Sequence, residues 1–366
     1  MTTEQLAIIL SLCGIVLILI GLLWLYVLAQ HQEDWLKKQK EENKKAEDLL
    51  KAVLCSPSAA AREAEMKQIE ETADSSNGML LCLVSVFARW EEGRNKLSGE
   101  RRQILDDALK HFEPVPKLLH AMKYEDNNTR AYICRCLGYL RAEEAIADLR
   151  ECLTSKHRTI RYNAGMALSM IGDEEGVLSF LVQNEKNRDY SDRIFRELMD
   201  NYSGDKASLI RRYLENAPDE SMPQRDPDRY EQMCVMLIQA VRNDRLVPLK
   251  DLYVEGFLGK LPPLRLACMK AISALGTPDL KKYFLLAARD NDWLIRLASI
   301  PGLEKTGDVE SVETLARLTS DEQWWVRRRA AEALVRTDED MQYVEKIFQG
   351  YDLFAADAVK EVLYKM

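Results

Sequence analysis

The chain has 366 residues, of which 47% are apolar and 30% charged, a composition that folds rather than staying disordered. Its net charge of −8 weighs against a nucleic-acid partner. The eight cysteines, Cys13, Cys55, Cys82, Cys134, Cys136, Cys152, Cys234 and Cys268, lack paired spacing and fall mostly among apolar positions, the pattern of buried, reduced thiols.

Residues 1–5 read as a short extracytoplasmic leader without Lys or Arg, and residues 6–29 as a transmembrane helix. Leu6 to Ala29 carries no formal charge over 24 residues. At 1.5 Å per residue the run reaches roughly 36 Å, enough for a hydrocarbon core of about 30 Å. Trp24 and Tyr26 suit an interfacial belt. A cleaved signal peptide calls for a basic leader, a shorter apolar core and a small-residue cleavage site, and this segment has none of them. Lys37, Lys38, Lys40, Lys44 and Lys45 follow the run and no basic residue precedes it, so the C-terminal body is expected on the cytoplasmic side of a cell membrane.

Residues 30–56 read as a charged helical stalk that docks through Leu49, Leu50, Val53 and Leu54 before Pro57. Its lysines suit a solvated face better than a lipid-headgroup contact. Residues 57–117 are expected to supply the first helices of the folded body. Their apolar centre, Met79 to Trp90, is too short to span a bilayer and reads as a buried helix.

From residue 118 to 366 the chain reads as helix pairs. Arg130 and Arg161 lie 31 residues apart, as do Arg265 and Arg296, and Arg296 and Arg327. Each leads into an alanine-rich apolar run: RAYICRCLGYL, RYNAGMALSMIG, RLACMKAISALG, RLASIPGLEKTG and RRRAAEALV. A fixed period means stacked units, each too small to bury its own apolar face. Arg161 and Arg265 break the period, and helices are expected there at about 189–200, 205–216, 228–242 and 245–257. A protruding loop with three prolines, 216–228, interrupts them, equally compatible with a functional loop and with a change of superhelical twist. The last residues, EKIFQG and YDLFAADAVKEVLYKM, read as a terminal cap.

Asp290 to Leu303 (DNDWLIRLASIPGL), Asp321 to Leu334 (DEQWWVRRRAAEAL) and Ser155 to Gly172 (SKHRTIRYNAGMALSMIG) share a turn, an aliphatic residue, an arginine and an alanine-rich helix. This pattern resembles the HEAT repeat family, including the short bacterial HEAT-like repeats of phycobilisome lyases, over about Leu118 to Leu334. The resemblance implies an all-α fold, an α-solenoid of helix pairs, here preceded by the one transmembrane helix. It also implies that the ladder arginines Arg130, Arg161, Arg265, Arg296 and Arg327 are architectural. In such arrays they pair with an acid in a nearby turn, and Asp290 and Asp321, six residues before Arg296 and Arg327, are the candidates.

No catalytic residue, cofactor site or metal site is expected, and the chain does not read as an enzyme. The four histidines, His31, His111, His120 and His157, form no zincin pair, and Cys134 and Cys136 diverge on a helix. Phosphate-binding glycine loops and nucleophile elbows are absent from the sequence. The position three residues before each ladder arginine holds Asn127, Arg158, Pro262, Trp293 and Trp324. Trp293, Trp324, Trp325, Arg328 and Arg329 are therefore the candidate partner-binding residues, since Trp and Arg dominate interface hot spots. For any single tryptophan, covering the end of the apolar core is the weightier role.

The sequence points to a single-pass, membrane-anchored cytoplasmic scaffold or adaptor that binds a protein partner, itself membrane-associated, as an accessory subunit of a membrane assembly. Bacterial proteins of this layout resemble accessory factors of surface-polysaccharide synthesis or export. Nucleic-acid binding in the manner of HEAT-like DNA glycosylases is the rival reading, opposed by acids interleaved with the basic residues. A lyase reading finds no supporting constellation of cysteines or carboxylates.

Overall fold

A computed structural model of the chain describes residues 37–38, 40–56, 58–75, 77–92, 113–187, 190–215 and 226–365, with isolated positions between them. The expected transmembrane segment, apart from Trp24, and residues 216–225 of the expected loop lie outside the described residues. Among the described residues no helix is long and apolar enough to cross a membrane, and all regular structure is helical.

The chain divides into two compact units at Asp148 and Leu149. In the first, helix α1 (40–55) buries Ala46, Leu49, Leu50 and Val53, while Leu54 is half-buried. Helices α2 (Ala59–Ser75), α3 (Asn77–Glu92), α4 (Pro114–Met122) and α5 (Asn127–Tyr139) follow. α3 packs against α2, α4 and α5, burying Met79 through Val84, Val86 and Phe87. The apolar centre read from the sequence is thus a core helix. Helix α6 (Ile146–Cys152) runs over the boundary between the units.

The second unit repeats one theme. Its helices are α7 (Arg158–Ile171), α8 (Glu174–Asn187), α9 (Asp192–Asn201), α10 (Lys206–Glu215), α11 (Pro227–Val241), α12 (Lys250–Leu258), α13 (Pro262–Leu275), α14 (Lys281–Ala287), α15 (Trp293–Thr306), α16 (Val309–Leu318), α17 (Trp324–Thr337), α18 (Gln342–Gln349) and α19 (Leu353–Leu363). The odd-numbered helices form one row in which each packs on the next, from α7 to α19. Alanine permits this close stacking, with Ala267, Ala271, Ala298, Ala330, Ala331 and Ala333 buried at the seams.

The turns explain the punctuation. Asp226, Asp292, Asp308 and Asp352 cap α11, α15, α16 and α19 by accepting backbone N–H bonds of the first turn. Left-handed Gly172, Gly276 and Gly307 end α7, α13 and α15. Gly138 instead lies buried inside α5, and the left-handed residue after that helix is Arg141. The terminal pair leaves Tyr351, Leu353, Phe354 and Tyr364 exposed, where a capping repeat ordinarily turns a polar face outward.

Of the cysteines described, Cys82, Cys134, Cys136, Cys152, Cys234 and Cys268 are buried and Cys55 is exposed. Burial pushes the thiols of Cys136 and Cys268 up to about 12, which keeps them neutral and unreactive at physiological pH.

Candidate functional site

The ladder arginines sit in the first turn of odd-numbered helices, and their contacts are of two kinds. One guanidinium nitrogen bonds backwards to carbonyls of its own turn. Arg161 Nη1 donates to the Ser155 carbonyl at 2.7 Å, Arg296 Nη1 to the Asp290 carbonyl at 2.9 Å and Arg327 Nη1 to the Asp321 carbonyl at 2.8 Å. In Arg265 and Arg296 the rest of the group reaches forward to the carboxylate of the next repeat. Arg265 meets Asp290 at 2.5 Å, and Arg296 grips Asp321 with two bonds of 2.6 and 2.8 Å. The acid six residues before an arginine is therefore not its ion partner; it serves the arginine of the preceding repeat.

Asp321 also accepts the Gln323 N–H at 2.9 Å, which shapes the turn. Burial by itself raises the Asp321 carboxyl, but the Arg296 bonds, the Gln323 N–H and the charges of Arg296 and Arg327 outweigh it and hold it below the usual carboxylate range. The register continues at Asp352, held low by a Ser320 hydrogen bond, its own capping N–H bonds and the Arg327 charge, while the Arg327 guanidinium lies 5.4 Å over the Phe354 ring.

A second ladder links the starts of even-numbered helices. Lys206 of α10 bonds Asp244 at 2.8 Å, Lys250 of α12 bonds Asp279 at 2.8 Å, and Lys281 of α14 bonds Asp308, the cap of α16. Its unequal spacings of 38, 29 and 27 residues hid it from a search by period. With their arginines and acids engaged in structure, the ladders are frame.

A groove of about 700 Å³ opens on the exposed side of the odd-numbered row, over α13, α15 and α17. Its floor is a stripe of α15 at helical spacing, Leu294, Leu297, Ala298 and Pro301, joined by Ala274 of α13. Small residues keep it open: Ala274, Ala298 and Pro301 fill less space than the leucines beside them. One wall carries Arg242 and Lys270, the other Trp325, Arg328, Arg329 and Glu332, and Lys305 stands at one end. Five charged side chains around the groove are basic and one is acidic, on a chain whose net charge is −8. The local field is thus opposite to the global one.

The two walls differ in how their charge is committed. Arg328 meets Glu332 at 3.3 Å, and Arg329 meets Glu332 and Glu304, each at 3.2 Å. Arg336 adds a 2.6 Å bond to Glu304. Among the described residues, Arg242 and Lys270 have no ion-pair partner. Lys305 donates to the carbonyls of Ser273 and Ala274 at 3.0 and 2.7 Å, closing the end of α13. Burial and the nearby Arg245 charge push its ammonium below the usual lysine range.

Of the residues singled out in the sequence, Trp325, Arg328 and Arg329 line this groove. Trp324 is 42% exposed and meets Trp325 edge-on, with ring centres 4.6 Å apart, and Arg328 lies 5.2 Å over its ring. Trp293 is half-buried and does not line the groove, and the tryptophans that the fold brings together are Trp324 and Trp325. Reasoning from sequence missed Arg242, Lys270, Lys305 and the α15 stripe. Two signals were available: the 31-residue period, which sets Leu294, Leu297, Ala298 and Pro301 in register with Trp325, Arg328, Arg329 and Glu332, and Pro301 itself, a proline inside a helical pattern where the neighbouring repeats carry none.

The HEAT repeat family model matches residues 115–196 and 260–335, the second segment holding the groove from Lys270 to Glu332. No curated protein matches the chain. Among solved structures, an engineered protein is similar at 12% identity over 87% of this chain and 98% of its own, with a TM-score of 0.35. Importin beta is similar at 11% identity over 87% of this chain and 47% of its own, with a TM-score of 0.34. The complex of CpcE and CpcF of phycocyanin lyase from Nostoc sp. PCC7120 is similar at 13% identity, over 87% and 94%, with a TM-score of 0.24.

Proposed function

The chain carries HEAT repeats over residues 115–196 and 260–335, and on that premise we propose that it is a non-catalytic scaffold that holds a protein partner in the groove over α13, α15 and α17. The observation that carries this reading is the groove itself. It combines an apolar floor, a tryptophan 59% exposed and a charged rim, the anatomy of an interface hot spot rather than of a solvated helix face. The ladder arginines, lysines and their acids do not line it, which leaves Leu294, Leu297 and Trp325 free of the ladders. Residues 6–29 anchor the scaffold in a cell membrane with the helical body in the cytoplasm, a reading supported by the uncharged run and the lysines behind it. The partner is then a membrane-associated protein, and the chain an accessory subunit of a membrane assembly, surface-polysaccharide synthesis or export being one such setting. Nucleic acid is the weaker reading: the basic rim is short, and Glu332 and Glu304 interrupt it.

Crosslinking in native membranes tests the reading. The wild-type chain is expected to give one defined protein adduct, which Leu297→Asp/Trp325→Ala loses and Trp293→Ala keeps. An adduct indifferent to the groove variant, or recovery of nucleic acid instead, sinks the proposal.

A further inference from the structure

The groove is chemically lopsided. On the α17 side, Arg328 and Arg329 are paired with Glu332 and Glu304, the latter shared with Arg336. The opposite side presents Arg242 and Lys270, which no carboxylate among the described residues answers. Between them runs the apolar stripe of α15. Whatever lies here meets positive charge along one edge, hydrocarbon beneath and an indole on the other edge.

Dimensions set the shape of the occupant. Stacked helices lie 8–10 Å apart, so α13 and α17, flanking α15, are separated by roughly 18 Å, which leaves room over α15 for one helix of about 10 Å. The stripe from Leu294 to Pro301 covers roughly 10 Å of helix axis, two turns. Anchors recurring every three or four residues on a partner helix match that spacing, whereas an extended strand needs a row of backbone partners. The floor offers a single such group at most. Pro301 has no N–H, which leaves the Leu297 carbonyl without its helical donor, between two residues that line the groove.

We propose that the partner segment is an amphipathic helix with an acidic flank: its apolar face lies on Leu294, Leu297 and Pro301 against Trp325, and its carboxylates face Arg242 and Lys270. This rests on the docking reading above and specifies the chemistry of what docks.

The test uses the full chain in detergent and two synthetic helical peptides of about 18 residues, long enough for the groove. They share a leucine stripe and differ only in a flank of glutamates or of lysines. By fluorescence anisotropy, the glutamate peptide binds at least about tenfold more tightly than the lysine peptide, and added salt narrows the gap. Arg242→Glu/Lys270→Glu reverses the preference. Both positions are partly exposed and unpaired, so the variant keeps its fold, checked by circular dichroism. Leu297→Asp weakens both peptides. Equal binding of the two peptides, or a preference that survives the charge reversal, overturns the proposal, as does stronger competition from duplex DNA or from phosphatidylserine vesicles. If the peptides are not discriminated while Leu297→Asp still loses the native adduct, the groove docks a partner and only the acidic chemistry is wrong. If they are discriminated while the native adduct persists in Leu297→Asp, the docking reading is the one that fails.

Discussion

At the scale of single residues, the ladder shows how one side chain fixes register. Arg296 touches its own turn through carbonyls and the next repeat through Asp321, whose side chain is 6% exposed. Removing the carboxylate leaves a half-buried guanidinium without its counter-charge. Asp321→Asn is therefore expected to cost about 1–3 kcal/mol in urea denaturation at pH 7. The pH dependence has a definite sign. Because the folded carboxyl titrates below its unfolded value, its contribution is complete above about pH 5 and is lost as the pH falls through the folded value. The gap between wild type and Asp321→Asn should thus close on acidification, and a gap constant from pH 7 to pH 3 contradicts this account. The recurrence of arginine and acid was legible in the sequence, because every repeat must solve the same turn. Which acid serves which arginine was not, because that depends on how far one repeat is displaced along the next.

At the scale of elements, close approach governs. A Cβ on Gly302 of α15 falls 2.5 Å from the ring of Phe284 in α14, a side chain with no exposure. Gly302→Ala gains up to about 1 kcal/mol in helix propensity, but overpacking a buried ring costs about 1–3 kcal/mol. The clash should win, lowering the melting temperature, and a raised one would mean that α14 and α15 separate easily. Helix positions were readable in chain order because caps, glycines and apolar spacing agree. In α9 (Asp192–Asn201) and α11 (Pro227–Val241) the expected spans of 189–200 and 228–242 agree to within a few residues. The groove was less readable. Its floor looks like any amphipathic stripe, and positions 31 residues apart such as Lys270, Pro301 and Glu332 hold a base, a proline and an acid, so no shared residue type marks the place.

For the whole molecule, charge and anchoring are the properties that bear on the partner. The chain is acidic, its groove is basic, and its first uncharged run has the length of a bilayer. If residues 6–29 hold the protein in a membrane, alkaline carbonate should leave it in the pellet. Leu17→Lys/Leu19→Lys, which places two charges at the centre of the run at a cost of about 2.5–3.5 kcal/mol each, should release it. Retention of that variant would mean that something other than the run does the holding. The central claim, that the groove over α13, α15 and α17 is where the partner sits, is tested most directly by placing a photocrosslinking amino acid at Leu297 in the groove floor, or at Val309, 74% exposed on α16. Illumination of native membranes should give a discrete protein adduct from position 297 and none from 309; an adduct from 309 alone would place the partner elsewhere and contradict the account.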